Sequence, residues 1–207
     1  SNGVLAMNGR CYTEEIGRLR AQFGDYPILC AGMVGSSRGW ATVPYLPCPV
    51  DVHHLAKNLL WVEPCWSAIV PGLSVVDGRK GNTMRGEEVQ MLGAICAAMV
   101  PVPALLCQPG THCKWARVMD GAITNFRTTM TGELFALLRQ QSLLADVISG
   151  DVIVDDAFRE GLADAHSQYL LGDLFSVRAS GLLGIRSKSE SAAYTSGLLI
   201  GSDIREQ

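Results

Sequence analysis

Residues 104–134 read ALLCQPGTHCKWARVMDGAITNFRTTMTGEL, and this stretch decides the fold. The apolar run 104–107 predicts a strand, and a Pro-Gly turn separates it from a second strand at 112–118. Asp120-Gly121 is typical of a tight hairpin turn, so residues 122–127 should return as a third strand. A helix should follow, with Thr131 as its cap and Glu133 near its positive end. The sequence therefore predicts three consecutive strands and then a helix.

The chain before this stretch alternates between helix and strand patterns. A helix is predicted from residue 13, a buried strand at 27–30, and strand-like runs over 62–76. From Gly86 a further helix is predicted. Its apolar face should consist of residues that recur at helical spacing, namely Val89, Leu92, Cys96 and Met99.

Two prolines, Pro101 and Pro103, end this helix and mark the best internal boundary, near residue 102. The sequence thus predicts an N-terminal lobe over residues 1–102 and a C-terminal lobe over residues 103–207. Each lobe would contain both helices and strands, so the predicted fold class is α/β.

Two more helices are predicted in the second half, at 155–171 and 189–204. The second of them contains Gly197-x-x-x-Gly201, which indicates close packing between helices in a soluble fold.

The order of three strands followed by a helix, predicted for residues 104–134, resembles the beginning of a ribonuclease-H-like lobe of the actin and hexokinase superfamily.

Length, composition and charge exclude several classes of function. With 207 residues, of which 48% are apolar, the chain can build a substantial core. Its net charge of −3 includes no basic run that could neutralise a nucleic-acid backbone. The most apolar stretch, 91–107, is interrupted by prolines and is shorter than the roughly 20 residues of a membrane helix. We therefore expect no nucleic-acid partner and no membrane.

The cysteines and histidines do not form a metal-binding pattern. The chain has 7 cysteines, an odd number, and none of them form a Cys-x-x-Cys pair. This usage favours reduced thiols in a cytoplasmic protein over a disulfide framework or a zinc site. His53 and His54 would point about 100° apart on a helix, so they cannot share a metal. No metal site is predicted.

The segment Met84-Arg85-Gly86-Glu87-Glu88 offers acid–base chemistry. Two adjacent carboxylates at a helix start are stabilised by the helix dipole, by about 0.3–1 kcal/mol, so a purely structural role is open. If one of them faces a substrate, it can act as a general base toward a hydroxyl group. Arg85 could bind a substrate carboxylate through two hydrogen bonds, or only pair with a neighbour.

The segment Pro109-Gly110-Thr111-His112-Cys113-Lys114 offers anion binding. Glycine lets the backbone approach an anion, while Thr111 adds a hydroxyl and Lys114 a charge. An ordinary hairpin turn is the alternative. The segment 109–114 is not a Walker loop, because a strand follows where that motif requires a helix. The helix start Thr131-Gly132-Glu133 could bind another anion or simply cap the helix.

The loop 32–40 contains Gly35-Ser36-Ser37-Arg38-Gly39, which matches the Gly-x-Ser-x-Gly nucleophile elbow of an α/β-hydrolase. That elbow needs a helix immediately after the serine, and the glycine and prolines that follow Ser37 oppose one. A glycine-rich substrate loop fits better, with Ser36, Ser37 and Arg38 offering hydrogen-bond donors to a hydroxylated acid.

Taken together, several segments resemble the 2-dehydro-3-deoxygalactonokinase family. They follow in the same order as in that family and span almost the whole chain. The segments are AGMVGS at 31–36, MRGEE at 84–88, PGTHCKW at 109–115, FRTTMTGEL at 126–134, VRAS at 177–180 and SGLLIG at 196–201.

The resemblance implies an ATP-dependent sugar-acid kinase with a two-lobed actin/hexokinase-like (ribonuclease-H-like) fold. Such an enzyme would use ATP and Mg²⁺ to phosphorylate the 6-hydroxyl of 2-dehydro-3-deoxy-D-galactonate in galactonate breakdown. Glu87 would be the catalytic base in the N-terminal lobe. The candidate substrate-binding residues are Ser36, Ser37, Arg38, Arg85 and Glu88. The candidate phosphate- and nucleotide-binding residues in the C-terminal lobe are Gly110, Thr111, His112, Lys114, Thr131 and Gly132.

The chain departs from the pattern of such kinases at both ends. They normally begin with a strand carrying Asp-x-Gly-Thr/Ser, which holds magnesium and the phosphates, and they normally end with a glycine-rich adenosine-binding segment. Neither occurs here, so we expect the fold to be incomplete at both ends and ATP binding to be weak. Exposed sheet edges would favour association into a homo-oligomer.

Two other functions stay open at this point. One is a serine hydrolase that uses Ser37. The other is a non-catalytic module of the same fold that binds a sugar acid or assembles as an oligomer.

Overall fold

The computed structural model describes residues 11–167 and 169–207. In this range the helices are α1 Tyr12–Phe23, α2 Val52–Lys57, α3 Glu87–Cys96, α4 Thr131–Gln141, α5 Asp156–Asp164, α6 Leu170–Leu182 and α7 Lys188–Arg205. The strands are β1 Ile28–Cys30, β2 Leu46–Pro47, β3 Leu60–Glu63, β4 Ser67–Ile69, β5 Leu73–Asp77, β6 Lys80–Met84, β7 Ala104–Gln108, β8 Cys113–Met119 and β9 Ala122–Thr129.

The strands form three small sheets, with orders β1-β4-β3, β2-β5-β6 and β7-β8-β9. In each of the first two sheets a parallel pair, β1 with β4 or β2 with β5, adjoins an antiparallel pair. The third sheet is the predicted run of three strands, and β7 pairs antiparallel with β8. Asp120 and Gly121 adopt φ values of 52° and 79° between β8 and β9, as a tight hairpin turn requires. The predicted strands in this stretch are confirmed.

The chain divides into two compact units. The first takes the chain up to Gln108 together with Lys114–Thr128, and the second takes Pro109–Cys113 together with Thr129–Gln207. Most of the third sheet therefore belongs to the first unit, although it follows the predicted boundary near residue 102. Its apolar side chains explain this placement, because Val118, Ile123 and Phe126 share a core with Leu73, Met84 and Leu92. The lobes 1–102 and 103–207 stay a prediction.

In the second unit, helices α5 and α7 pack with their backbones in close approach. A Cβ added to Gly197 would lie 2.1 Å from the Phe158 carbonyl oxygen, and one added to Gly161 would lie 2.1 Å from the Tyr194 carbonyl oxygen. At Gly201 it would meet the Ala165 side chain at 2.6 Å. The prediction of close helix packing at Gly197-x-x-x-Gly201 is confirmed.

Some predictions for the helices are wrong. Met99 is 77% exposed and Val89 is also exposed, whereas Glu88, Met91 and Leu92 form the buried face of α3. The periodicity was misassigned by about one residue because a glutamate, which ordinarily faces water, occupies a buried position.

The helix predicted over residues 155–171 is instead two helices, α5 and α6, with a short 3₁₀ turn after α5. Gln168, between them, lies outside the described residues.

Two helices of the second unit have side-chain caps. Asp155 caps α5 by accepting a hydrogen bond from Phe158 N at 3.0 Å. Ser187 and Glu190 form a capping box at the start of α7.

Within residues 11–167 and 169–207, no helix is long and apolar enough to cross a membrane. Over the same range, none of the cysteines from Cys11 to Cys113 forms a disulfide.

Candidate active site

The turn between β6 and α3 carries three of the predicted residues, Arg85, Glu87 and Glu88. It begins where β6 ends at Met84, which is buried in the core of the first unit. Gly86 adopts φ +112°, and a Cβ added there would lie 3.1 Å from Gly32 Cα. A glycine is therefore required at residue 86 for both its conformation and its contact with the loop 32–36.

Glu88 is completely buried in the second position of α3. Its two carboxyl oxygens accept hydrogen bonds from Gly86 N at 2.8 and 2.7 Å. Burial raises the pKa of Glu88 to about 7, and the backbone hydrogen bonds and the nearby Arg85 only partly oppose this effect. In this structure the Glu88 carboxyl group therefore holds the turn, and its role as a substrate ligand stays a prediction.

The buried Glu88 should make folding pH-dependent, and Glu88→Gln should remove this dependence. Between pH 4.5 and about 7 the unfolded state releases the proton of residue 88 while the folded state retains it. Stability is therefore lost as pH rises through this window, by about 3 kcal/mol in total. We expect the free energy of unfolding of Glu88→Gln, relative to the unmodified protein, to increase by about this amount from pH 4.5 to pH 8. Denaturant titrations at several pH values measure it, and a constant difference would contradict the assignment.

Glu87 occupies the first position of α3 and is only half-buried. Its Oε2 accepts a hydrogen bond from Arg85 N at 3.0 Å. Because this bond holds the side chain at the turn while part of it stays accessible, Glu87 is the better placed of the two carboxylates to act on a ligand.

Arg85 has a guanidinium group with unused hydrogen-bonding capacity. Its Nη2 donates to the Val43 carbonyl oxygen at 2.6 Å, and the group lies over the Tyr45 ring at 4.2 Å. Its Nε and Nη1 are buried and have no hydrogen-bond partner among the residues that the structure describes. The two donors lie on different edges of the guanidinium, so each could donate to one separate hydrogen-bond partner, such as a carboxylate oxygen.

The serine loop has a different local structure from a nucleophile elbow. Met33–Gly35 form one 3₁₀ turn, and Ser36 Oγ donates to the Met33 carbonyl oxygen at 2.7 Å and accepts from Arg38 N at 3.2 Å. Ser37 and Arg38 are exposed in a turn, and the next helix begins only at Val52. The serine-hydrolase alternative is therefore not favoured. The loop does adjoin the Arg85 turn, since a Cβ on Gly35 would lie 2.7 Å from Arg85 Nη1.

In the second unit, the turn Gly110-Thr111-His112 packs directly on the start of α4. A Cβ added to Gly132 would lie 2.4 Å from the Gly110 carbonyl oxygen, so glycine permits this approach. Glu133 N donates to the Thr111 carbonyl oxygen at 2.9 Å, and His112 Nε2 lies 2.6 Å from Glu133 Oε2. Gly110, Thr111 and His112 are exposed. The structure thus brings together Gly110, Thr111, His112 and Gly132 as a backbone-rich turn at a helix N-terminus.

Thr131 does not cap α4 as predicted, because Met130 occupies the cap position without a side-chain hydrogen bond. Instead, Thr131 Oγ1 donates to Asp203 Oδ2 at 2.7 Å and lies 3.1 Å from Thr129 Oγ1. The hydroxyl therefore joins the start of α4 to the end of α7 within the second unit.

Lys114 belongs to the first unit, whereas the other predicted phosphate residues belong to the second. It is 5% exposed, and its Nζ donates to the Thr83 carbonyl oxygen at 2.9 Å and to Thr128 Oγ1 at 3.1 Å. Both partners belong to the first unit. The structure thus gives this ammonium group protein ligands rather than an open position for phosphate.

Sequence reasoning missed the partners of these side chains. Tyr45, Val43 and Asp203 contact candidate residues from distant parts of the chain, and no local motif marks them. Asp203 offered a signal, because an acidic residue lies on the buried face of α7.

Comparisons with known proteins agree over the whole chain. A family model described as 2-keto-3-deoxy-galactonokinase matches residues 1–207. The curated 2-dehydro-3-deoxygalactonokinase of Escherichia coli (strain K12) is 37% identical over 206 residues, which is 98% of this chain and 69% of that protein. "Probable 2-dehydro-3-deoxygalactonokinase DgoK1" of Rhizobium meliloti (strain 1021) is 35% identical over 185 residues, 86% of this chain and 60% of that protein.

A solved structure is also similar. The crystal structure of a candidate 2-dehydro-3-deoxygalactonokinase protein from Sinorhizobium meliloti matches with a TM-score of 0.88 and 33% identity. The match covers 97% of this chain and 69% of that one. The chain therefore spans between 60% and 69% of the length of these relatives.

Proposed function

The chain belongs to the 2-keto-3-deoxy-galactonokinase family, and from this membership we propose that it takes part in the phosphorylation of 2-dehydro-3-deoxy-D-galactonate at the 6-hydroxyl by ATP in the cytoplasm. The observation that carries the proposal is the family match over residues 1–207, together with 37% identity to a curated kinase of that name. The serine-hydrolase and non-catalytic alternatives are not favoured by these relatives.

In the first unit, the acceptor sugar acid would bind at the turn between β6 and α3. The half-buried carboxylate of Glu87 would accept the proton of the attacking hydroxyl, a role that depends more on hydrogen-bond reach than on a special pKa. Arg85 would bind the sugar-acid carboxylate through Nη1, one of the two donors that lack a partner. Because Gly35 lies against Nη1, this binding requires the loop 32–36 to shift.

In the second unit, the turn Gly110-Thr111 would receive phosphate oxygens. Its exposed backbone and the Thr111 hydroxyl can donate hydrogen bonds to charge that develops on the transferred group. His112 would be oriented there by Glu133, which lies 2.6 Å from its Nε2. Electrostatic stabilisation and positioning supply most of the rate in phosphoryl transfer.

A magnesium ion ordinarily accompanies ATP in sugar kinases. Over residues 11–167 and 169–207, no group of three His, Cys, Asp or Glu side chains could hold a metal ion. Magnesium that accompanies ATP is ordinarily held by phosphate oxygens, water and only one or two carboxylates, and the proposed roles of Glu87, Arg85 and Gly110-Thr111 do not depend on a protein-ligated ion.

The direct test is transfer of phosphate from [γ-³²P]ATP to 2-dehydro-3-deoxy-D-galactonate, with galactose as a neutral comparison substrate. We expect labelled sugar-acid phosphate and little labelled galactose phosphate. Absence of labelled sugar acid from both the chain and a version extended to the length of its relatives would overturn the proposal.

Arg85→Lys should raise the KM for the sugar acid about 10-fold or more and leave the KM for ATP nearly unchanged. Lysine keeps the charge, but its single ammonium group cannot occupy the positions of both Nη2, which holds the Val43 carbonyl oxygen, and Nη1. The hydrogen bond to the sugar-acid carboxylate, worth about 1.5–3 kcal/mol, would therefore be lost. Arg79→Lys is the matched control, because Arg79 is exposed between β5 and β6. Equal KM values for the sugar acid in the two variants would mean that Arg85 does not bind this substrate.

A further inference from the structure

A polar cluster lies within the first unit and is not explained by the proposed chemistry. We call it the β6 anchor, and it consists of Asn82, Thr83, Lys114 and Thr128. Lys114 Nζ bonds to the Thr83 carbonyl oxygen and to Thr128 Oγ1, at 2.9 and 3.1 Å. Asn82 Oδ1 accepts a hydrogen bond from Thr128 N at 2.9 Å. The β6 anchor thus joins the end of β6 to β8 and β9.

Burying the polar groups of this cluster costs free energy unless hydrogen bonds replace their contacts with water. Removing an ammonium group from water costs several kcal/mol, and it is tolerated only where hydrogen bonds compensate. Lys114 is 5% exposed, so the folded state requires these hydrogen bonds to its ammonium group. A lysine whose task was to reach an exposed phosphate would not need Thr83 and Thr128 as ligands.

The position of the β6 anchor along the chain suggests what it controls. Thr83 precedes Arg85 by two residues and Glu87 by four, and Gly86, with φ +112°, lies in the short turn that joins β6 to α3. Any change in the path of Thr83 therefore moves the Arg85 guanidinium and the start of α3. Near-attack geometry is sensitive to such movements, since a displacement of 1 Å can cost about 100-fold in rate.

We propose that Lys114 is a positioning residue for the acceptor site: its buried ammonium group fixes the end of β6 and, through it, the turn that carries Arg85 and Glu87. The functional half of this inference rests on the proposed kinase activity. The structural half, that Lys114 holds the turn in place, does not.

The structural half is tested by amide hydrogen exchange in Lys114→Met. Methionine keeps the length and apolar stem of lysine but cannot bind the Thr83 carbonyl oxygen. We expect peptides covering residues 83–88 to exchange at least about 10-fold faster, since losing a charged hydrogen bond is worth at least about 1.4 kcal/mol. Lys80→Met is the matched control, because Lys80 is exposed at the other end of β6. Exchange in Lys114→Met equal to that of Lys80→Met would overturn the inference.

The functional half is tested by steady-state kinetics with each substrate varied in turn. We expect Lys114→Met to lower kcat/KM for the sugar acid by about 100-fold while the KM for ATP stays within about twofold. A raised KM for ATP with an unchanged KM for the sugar acid would overturn the inference and make Lys114 a phosphate ligand. If the unmodified enzyme transfers no phosphate, the proposed function fails, and the exchange result still decides the structural half.

Thr128→Val covers the case in which Lys114→Met does not fold. It removes one ligand of the ammonium group but leaves the lysine in place, and Thr128 N can still donate to Asn82. We expect faster exchange over residues 83–88 and a lower kcat/KM for the sugar acid, each by a smaller factor than in Lys114→Met. Unchanged exchange and kinetics in Thr128→Val would contradict the role of the β6 anchor.

Discussion

Glu87→Gln should lower kcat by about 100-fold to 10,000-fold with little change in the KM for either substrate, because general-base catalysis contributes about this much. Glutamine has nearly the same shape, and its carbonyl oxygen can still accept the hydrogen bond from Arg85 N that Glu87 Oε2 accepts at 3.0 Å. The turn should therefore keep its structure and lose only the ability to remove a proton. Rapid-quench measurement of phosphate transfer in a single turnover would isolate the chemical step.

Two controls separate this effect from helix electrostatics. Glu14→Gln removes a negative charge from the first turn of α1, where the side chain is exposed, so it reproduces the loss of a favourable charge near a helix N-terminus. Glu88→Gln tests the neighbouring carboxylate. Glu88 would be identified as the general base if Glu88→Gln lost as much activity as Glu87→Gln while the amide hydrogen exchange of residues 83–88 stayed unchanged.

The local patterns in the sequence gave correct predictions where the interactions themselves are local. The hairpin between β8 and β9 depends on Asp120-Gly121, and the close helix packing depends on glycine spacing in one helix. The turn at Gly110 and the helix start at Gly132 were both proposed as anion sites. Their direct contact was not foreseen, because it joins residues more than 20 positions apart.

Sequence patterns are least informative where a polar side chain is buried. The predicted apolar face of α3 is correct at Leu92 but wrong at Val89 and Met99, because Glu88 occupies a buried position. Lys114 is predicted to bind phosphate because it adds a charge beside the glycine turn, and this role stays a prediction. Its ligands, the Thr83 carbonyl oxygen and the Thr128 hydroxyl, come from other strands, so sequence spacing could not reveal them.

Gly197→Ala should destabilise the second unit by about 3 kcal/mol, near the upper end of the range for overpacking. In an open helix the same change would be stabilising by up to about 1 kcal/mol, since alanine is the better helix former. Here the added methyl group would lie 2.1 Å from the Phe158 carbonyl oxygen and 3.1 Å from Leu162 N. Both are backbone atoms of α5, so no side-chain rotation can relieve the overlap, and α5 and α7 must separate.

Thermal unfolding of the second unit measures this effect, with Gly172→Ala as the matched control. Gly172 lies in α6 of the same unit and is exposed, and a Cβ there would meet only Tyr169 Cβ, at 4.0 Å. We expect the midpoint temperature of Gly197→Ala to fall by roughly 12–24 °C and that of Gly172→Ala to stay the same or rise slightly. Because the two variants make the same chemical change in a helix of one unit, their difference isolates the contact between α5 and α7. Equal midpoints would mean that the two helices do not pack at this distance.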